Sequence, residues 1–160
     1  MYPFCYSVSL RVWHPSMDPH QISESLHRRP AASHRVGERK KTPAGTPLAN
    51  VHAETYWYCD LPHPDGLELS LFLESVADRL APHRSFLAQI SKDGGSLELF
   101  VGWYSGSNSG QEFSWKLLKK LSALHLDLSL DVYAAQNGRS GRQAKRPAPG
   151  NRKTPDEKRS

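Results

Sequence analysis

The stretch that decides the fold is "LLKKLSALHLDLSLDVY", residues 117–133, because its hydrophobic period changes part-way along. Its first half repeats leucine at intervals of three and four residues, which is typical of a buried helical stripe. From Leu126 onward apolar and polar residues alternate, which indicates a strand with one buried face. We therefore predict a helix, capped by Ser114, that runs into a terminal strand. The residues predicted to face the core are Leu117, Leu118, Leu121 and Leu124 of the helix and Leu126, Leu128, Leu130 and Val132 of the strand.

The same two periods recur upstream of this stretch. Residues 5–13 and 96–104 alternate, and residues 54–59 are rich in aromatic side chains, so all three are predicted strands. Apolar spacing over residues 67–80 predicts the main amphipathic helix, with a shorter helical turn at 86–90. The fold class is therefore α+β, with two layers. It is a mostly antiparallel sheet of four to five strands with two to three helices on one face, loosely ferredoxin-like.

The positive charge of the chain is concentrated at its C-terminus. Residues 138–160 carry eight Lys and Arg against two acidic residues, and the other 137 residues hold 13 basic against 14 acidic ones. We predict a single domain over residues 1–137 and a disordered basic tail over 138–160, too polar to bury a core. A solubilising extension is the favoured interpretation, and an electrostatic arm for nucleic acid is the alternative. That arm would use Arg139, Arg142, Lys145, Arg146, Arg152 and Lys153.

The cysteines and the N-terminus argue for the cytoplasm. Cys5 and Cys59 lie on separate segments and lack the spacing of a metal site or of a disulfide framework. The first residues have no cationic start, polar residues interrupt their apolar run, and no stretch has the length of a membrane span. We expect a cytoplasmic protein with reduced thiols and no membrane partner.

Several residues in a fixed order resemble a bacterial family known only as domain of unknown function 4279. They are the first strand, Asp18-Pro19, Ile22, Leu26, Pro30, Gly37, Trp57 and the final helix–strand stretch that ends in Tyr133. Together they span residues 5–133. His125 departs from the pattern, because glycine is expected to take the left-handed conformation at that helix end. The resemblance implies no reaction, cofactor or catalytic residue. Small α+β families of this kind include immunity proteins of bacterial toxin systems, which is an analogy only.

Residues 14–30, "HPSMDPHQISESLHRRP", hold three of the eight histidines and invite a metal interpretation. His20 and His27 lie seven residues apart, so two helical turns of about 10 Å separate them, too far to share one ion. Asp18-Pro19 is better explained as a helix start, with Ile22 and Leu26 docking the helix and Pro30 ending it. A thiol–imidazole pair of Cys59 with His63 lacks an orienting group, and "GSNSG" lacks the lysine of a phosphate loop. We predict no catalytic residue, no metal and no cofactor, and hence not an enzyme.

Two surfaces are candidates for binding another protein. Strand alternation places Tyr56, Tyr58, Phe100 and Tyr104 on the sheet face opposite the core, where they would form an exposed aromatic patch unless loops cover them. Residues 35–41 add a local basic cluster, which a charged edge strand would also explain. We therefore predict a small non-enzymatic protein-binding domain, of which an immunity-type factor would be one instance, with the nucleic-acid-associated tail as the alternative. The basic cluster consists of Arg35, Arg39, Lys40 and Lys41.

Overall fold

The computed structural model describes residues 4–134, so the predicted basic tail lies outside the described residues. The elements in chain order are β1 Cys5–His14, α1 Pro19–Leu26, β2 Ala32–His34, β3 Arg39–Lys41, β4 Pro47–Val51, β5 Thr55–Leu61, α2 Leu69–Leu80, a 3-10 turn Ala81–His83, α3 Arg84–Lys92, β6 Ser96–Ser105, α4 Trp115–Ala123 and β7 Leu126–Ala134.

Five strands form one mixed sheet in the order β2-β5-β1-β6-β7. The central strand β1 is antiparallel to both neighbours, and β2 is antiparallel to β5. Among the described strands of this sheet, β7 alone pairs in parallel, with β6, because helix α4 carries the chain back across the sheet between them. The predicted two-layer α+β fold with a mostly antiparallel sheet is confirmed. Residues 4–134 contain four α-helices in place of the two to three predicted, since the turn at 86–90 is a complete helix.

A separate hairpin, β3 paired with β4, interrupts the path from β2 to β5. The sequence "KTPAGTPLAN", residues 41–50, predicts a loop with two prolines and a glycine, which is wrong for its last residues because they belong to strand β4. Every residue of β4 is exposed, so the strand is held by backbone hydrogen bonds to β3. Its sequence therefore lacks the hydrophobic alternation from which a strand could be predicted.

The core lies between the helices and one face of the sheet. Alternate residues of β1, β5 and β6 pack there against apolar residues of all four helices. Helix α1 begins where the sequence predicts, because Asp18 accepts a hydrogen bond from the His20 backbone N–H at 2.9 Å. Trp57 of β5 is fully buried, and its indole N–H donates to the Ser23 hydroxyl of α1 at 2.9 Å. This bond ties the first helix to the sheet.

The predicted burial of the last helix and strand is wrong in part. Leu117, Leu121, Leu124 and Leu126 are buried as expected, but Leu118, Leu130 and Val132 are 46%, 45% and 67% exposed. The nine residues of α4 span about 14 Å, whereas nine strand residues span about 30 Å. The helix therefore covers only part of β7, which is also the edge of the sheet.

The helix end before β7 adopts the conformation for which the sequence pattern called for glycine. His125 has φ of 57°, in the left-handed region, and lies directly between α4 and β7. His27 ends α1 in the same way, with φ of 51°. Histidine can adopt this left-handed conformation at some energetic cost. The turn between α4 and β7 therefore keeps the backbone conformation expected of glycine, although histidine occupies the position.

Candidate functional site

The candidate site is the sheet face that points away from the helices, hereafter the open face. All four helices contribute their buried residues to the core on the other side, so no helix within residues 4–134 covers it. Strand register places the predicted residues on this face: Tyr56 pairs with Trp13, Tyr58 with Arg11, Phe100 with Ser9 and Tyr104 with Cys5.

The predicted aromatic residues lie on one face but do not form one exposed patch. Strand β1 separates Tyr56 and Tyr58 of β5 from Phe100 and Tyr104 of β6, which the sequence did not indicate. Tyr104 is 37% exposed, Tyr58 and Phe100 are half-buried, and Tyr56 is only 4% exposed. The expectation of an exposed Tyr56 is therefore wrong.

Tyr56 is buried by rings from three strands. The ring centroid of Tyr56 lies 5.2 Å from that of Trp13, 5.7 Å from that of Tyr58 and 5.5 Å from that of His34. The short strand β2 pairs with β5 and brings His34 opposite Tyr56. A three-residue strand of this kind carries too weak a period to be predicted, so the covering of Tyr56 could not be foreseen.

Two stacked imidazoles close this end of the open face. The ring centroids of His34 and His52 lie 3.4 Å apart, and the two rings are nearly parallel. Burial lowers the pKa of His34 to about 4, and repulsion from His52 and Lys40 adds to the effect against the attraction of Glu38. Burial lowers the pKa of His52 as well. The folded protein therefore favours the neutral pair.

Acidification is expected to destabilise the protein through this pair. A folded pKa below the unfolded value of 6.5 means that the unfolded state binds protons more readily, so the stabilisation is complete above pH 6.5 and is lost as the pH falls towards 4. Since His34 is partly solvated, we expect a loss of about 1 kcal/mol between pH 7 and pH 5. Urea titrations at the two pH values measure it. His34→Gln should reduce the difference, whereas His20→Gln, on an exposed histidine of α1, should not. If the stability of both variants depended equally on pH, the pH dependence could not be attributed to His34.

Arg11 lies at the centre of the open face, stacked on Phe100. Its guanidinium carbon is 3.4 Å from the Phe100 ring centroid, and one terminal nitrogen is 3.9 Å from the Glu98 carboxylate. The buried Nε has no hydrogen-bond acceptor among the described residues. The Phe100 ring therefore holds the guanidinium in position, while not all of its N–H groups have a hydrogen-bond acceptor. Sequence reasoning missed Arg11, because only the pairing of β1 with β6 brings it over Phe100.

The other end of the open face carries a second aromatic pair. The rings of Tyr104 and Tyr133 are stacked with centroids 5.0 Å apart. Tyr104 also lies across Gly102, where an added Cβ would come within 2.9 Å of the Tyr104 hydroxyl. The Tyr133 hydroxyl donates to the Asp131 carboxylate, and this bond raises the pKa of Tyr133 to about 12. Tyr104 is thus held in place on both sides while more than a third of it stays in solvent.

Three residues of the predicted basic cluster, Arg39, Lys40 and Lys41, lie on the hairpin beside the His34 end of the open face, and Arg35 lies in the loop before it. The Arg35 guanidinium is partly neutralised by Asp18, 3.1 Å away. Arg39 and Lys41 are exposed, and Lys40 is half-buried. The hairpin is attached to the sheet by the stack of His52 on His34, so its charges adjoin the aromatic end of the open face. The other predicted basic residues, in the tail, lie outside the described residues.

The histidines and cysteines that invited a chemical interpretation have structural contacts. His14 is buried, and its Nδ1 accepts hydrogen bonds from the backbone of Ser16 and Met17. Cys59 packs in the core, where burial raises the pKa of its thiol to about 11. The His63 ring stacks on Tyr6 at 4.0 Å. Within residues 4–134, no group of three or more His, Cys, Asp or Glu side chains is arranged to hold a metal ion.

A cleft of about 540 Å³ opens at the end of the sheet where the central strand β1 begins. The Tyr6 hydroxyl donates to the Leu67 carbonyl, and Gln111 donates to the Glu68 carboxylate at 2.7 Å. That bond, with a second one from Ser70, lowers the pKa of Glu68. These contacts join the loops around the cleft to one another. In the part of the chain that the structure describes, no helix has the length and apolar character required to cross a membrane.

Comparison with known proteins gives one match. The model of the family described as Domain of unknown function (DUF4279) matches residues 4–135, which include every described element of the fold. No curated protein and no solved structure matches the chain significantly.

Proposed function

The chain belongs to the family described as domain of unknown function DUF4279, and we propose that it is a non-enzymatic domain that binds another protein through its open face. The observation that carries the proposal is the central Arg11, stacked on Phe100 between two aromatic clusters. Arginine, tyrosine and tryptophan are the residue types that dominate the energetics of protein interfaces.

The open face combines rigid rings with polar edges, which suits recognition of a protein. Trp13 and Tyr58 flank Tyr56 on one side, and Tyr104 stacks on Tyr133 on the other. Because these rings are already packed against one another, little side-chain entropy remains to be lost on binding. The Arg11 side chain is 18% exposed, and its terminal nitrogens can donate to a carbonyl or carboxylate of the partner.

The charge beside the open face suggests an acidic partner surface. Arg39 and Lys41 are exposed on the hairpin, next to the ring cluster that His34 closes. Exposed charges at the rim of an interface raise association rates and select partners of opposite sign. An immunity factor that neutralises a toxin would be one instance of such a domain. The proposed compartment is the cytoplasm, and the support for it is that both cysteines are free thiols.

A photo-reactive amino acid in place of Tyr104 tests the proposal in cells of the native host. We expect it to cross-link to one acidic protein, whereas the same substitution at Leu71, 53% exposed on α2, should not. The purified partner then allows Tyr104→Lys to be measured by calorimetry. We expect an affinity at least about 30-fold weaker than that of the unaltered chain, the effect of losing an aromatic residue that contributes much of the binding energy.

The matched control for that measurement is Leu71→Lys, which adds the same charge on the helix side. It should bind as tightly as the unaltered chain. An unchanged affinity in Tyr104→Lys, or cross-links from Tyr104 only to copies of the same chain, would refute a protein partner at the open face. Exchanging Arg39 and Lys41 for glutamate should slow association and reduce its salt dependence if the partner is acidic.

A further inference from the structure

The outer edge of the sheet is a long and regular strand. Within residues 4–134, β7 is the last strand in the sheet order, paired only with β6. That pairing runs without a register shift from Leu97 opposite Leu126 to Ser105 opposite Ala134. Proteins usually protect such edges with bulges, prolines or charged residues, especially lysine. Strand β7 has no bulge, proline or lysine, and its two aspartates, Asp127 and Asp131, lie on the open face. Its free edge is therefore well formed for pairing with another strand.

Apolar side chains accompany this edge on the helix side of the sheet. Leu130 and Val132 of β7 are 45% and 67% exposed. On the adjacent helix, Trp115 and Leu118 are 68% and 46% exposed, one helical turn apart on the same side. Leu118 lines the same depression as Leu128 of β7, which connects the two groups. A patch of apolar residues thus lies beside an open strand edge, an arrangement typical of an interface.

We propose that a second copy of this chain occupies the edge, with the two β7 strands paired antiparallel about a two-fold axis at Leu130. The two sheets then continue as one ten-stranded sheet. An axis perpendicular to the sheet keeps the helices of both copies on the same side. The proposal concerns the edge and the helix side, and it is independent of binding at the open face.

The sequence of β7 is self-complementary in this register. Leu130 is the central residue of Leu126–Ala134, so an axis at Leu130 pairs all nine residues of both strands. Leu130 then faces Leu130 of the partner subunit, and Leu128 faces the partner's Val132. On the open face, Asp131 lies opposite the partner's Ser129, and Asp127 lies opposite the partner's Tyr133. Apolar residues meet apolar ones, and no two carboxylates face each other directly.

The neighbouring antiparallel registers are less favourable. A shift of the axis to Ser129 brings Asp127 opposite the partner's Asp131, and a shift to Asp131 brings two copies of that aspartate together. Like charges directly opposite each other are destabilising. If the pairing is shifted by a single residue, so that Leu130 faces the partner's Ser129 or Asp131, apolar residues come opposite polar ones. The longest pairing is therefore also the one that avoids repulsion.

The other possible occupant within the chain is the C-terminal tail. From residue 138 to 160 its apolar residues are Ala144 and Ala148, too small to cover Leu130, Val132 and Trp115. In the two-fold arrangement, the α4 helices of both copies approach over the shared strand pair, where Trp115 and Leu118 of each can pack. This accounts for exposed apolar residues on both the strand and the helix.

Sedimentation of the full-length chain at about 100 µM tests the proposal, a concentration that reveals even a weak dimer. We expect a dimer. Leu130→Lys and Leu130→Glu should each be monomeric, with a dissociation constant at least about 100-fold higher, because two like charges would meet on the axis. Mixed in equal amounts, the two variants should form a heterodimer, which an unfolded variant could not. Leu71→Lys, on another exposed leucine, should remain dimeric.

Cysteine cross-linking tests the register in a Cys5→Ser background, which removes the exposed native thiol. Residues facing each other across an antiparallel pair are close enough for a disulfide. Leu130→Cys should cross-link to itself. Leu128→Cys and Val132→Cys should each fail alone and succeed when mixed. A monomer at about 100 µM, a dimer that persists in Leu130→Lys, or self-linking by Val132→Cys would overturn the proposal.

Discussion

Replacing Trp57 with alanine is expected to lower the free energy of unfolding by about 4 kcal/mol, a large part of the stability of a domain this size. The Trp57 side chain is fully buried between the sheet and the helices, so truncation leaves a large cavity. It also removes the indole donor of the hydrogen bond to Ser23, which lies on α1. This hydrogen bond between the first helix and the sheet would be lost, and the packing of Ile22 and Leu26 would remain.

Urea unfolding followed by circular dichroism measures this change. Trp57→Phe should cost less, because most of the apolar volume remains and only the bond to Ser23 is lost. The matched control is Trp115→Ala in dilute protein, since Trp115 is 68% exposed and should contribute little to the stability of a single copy. Equal losses in Trp57→Ala and Trp115→Ala would show that the core is not arranged as described.

Exchanging Gly95 for alanine is expected to cost about 3 kcal/mol, because the new methyl group has no space. An added Cβ would lie 2.7 Å from the Trp13 carbonyl oxygen, 2.8 Å from the Ile90 side chain and 2.9 Å from the His14 ring. The Trp13 oxygen belongs to the backbone of the central strand and cannot move without disturbing the sheet. Either the start of β6 or the end of α3 must therefore shift.

Thermal and urea unfolding of Gly95→Ala measure the effect, with Gly110→Ala as the matched control. A Cβ at Gly110 meets nothing within 4 Å, so the control should be as stable as the unaltered chain. The same stability in Gly95→Ala would mean that β1 and α3 do not approach Gly95 this closely.

The candidate site could be predicted only in part. The alternation of β5 and β6 correctly placed Tyr56, Tyr58, Phe100 and Tyr104 on the face opposite the core. Their grouping could not be predicted, because strand order is a long-range property and β1 lies between the two strands. For the same reason Arg11 looked like an ordinary polar residue of a half-buried strand. Its role became visible through its contact with Phe100, 89 positions later in the chain.

The amino-acid sequence by itself determined the local elements and the class of fold. The change of period within residues 117–133 predicted α4 and β7, and Asp18-Pro19 predicted the start of α1, because hydrophobic spacing and helix capping act over a few residues. The tertiary structure alone decided which predicted core positions are buried. Leu130 and Val132 carry the pattern of buried residues, yet they remain exposed because β7 is an edge strand that outreaches its helix. Burial depends on the neighbouring elements, and the period of one strand contains no information about them.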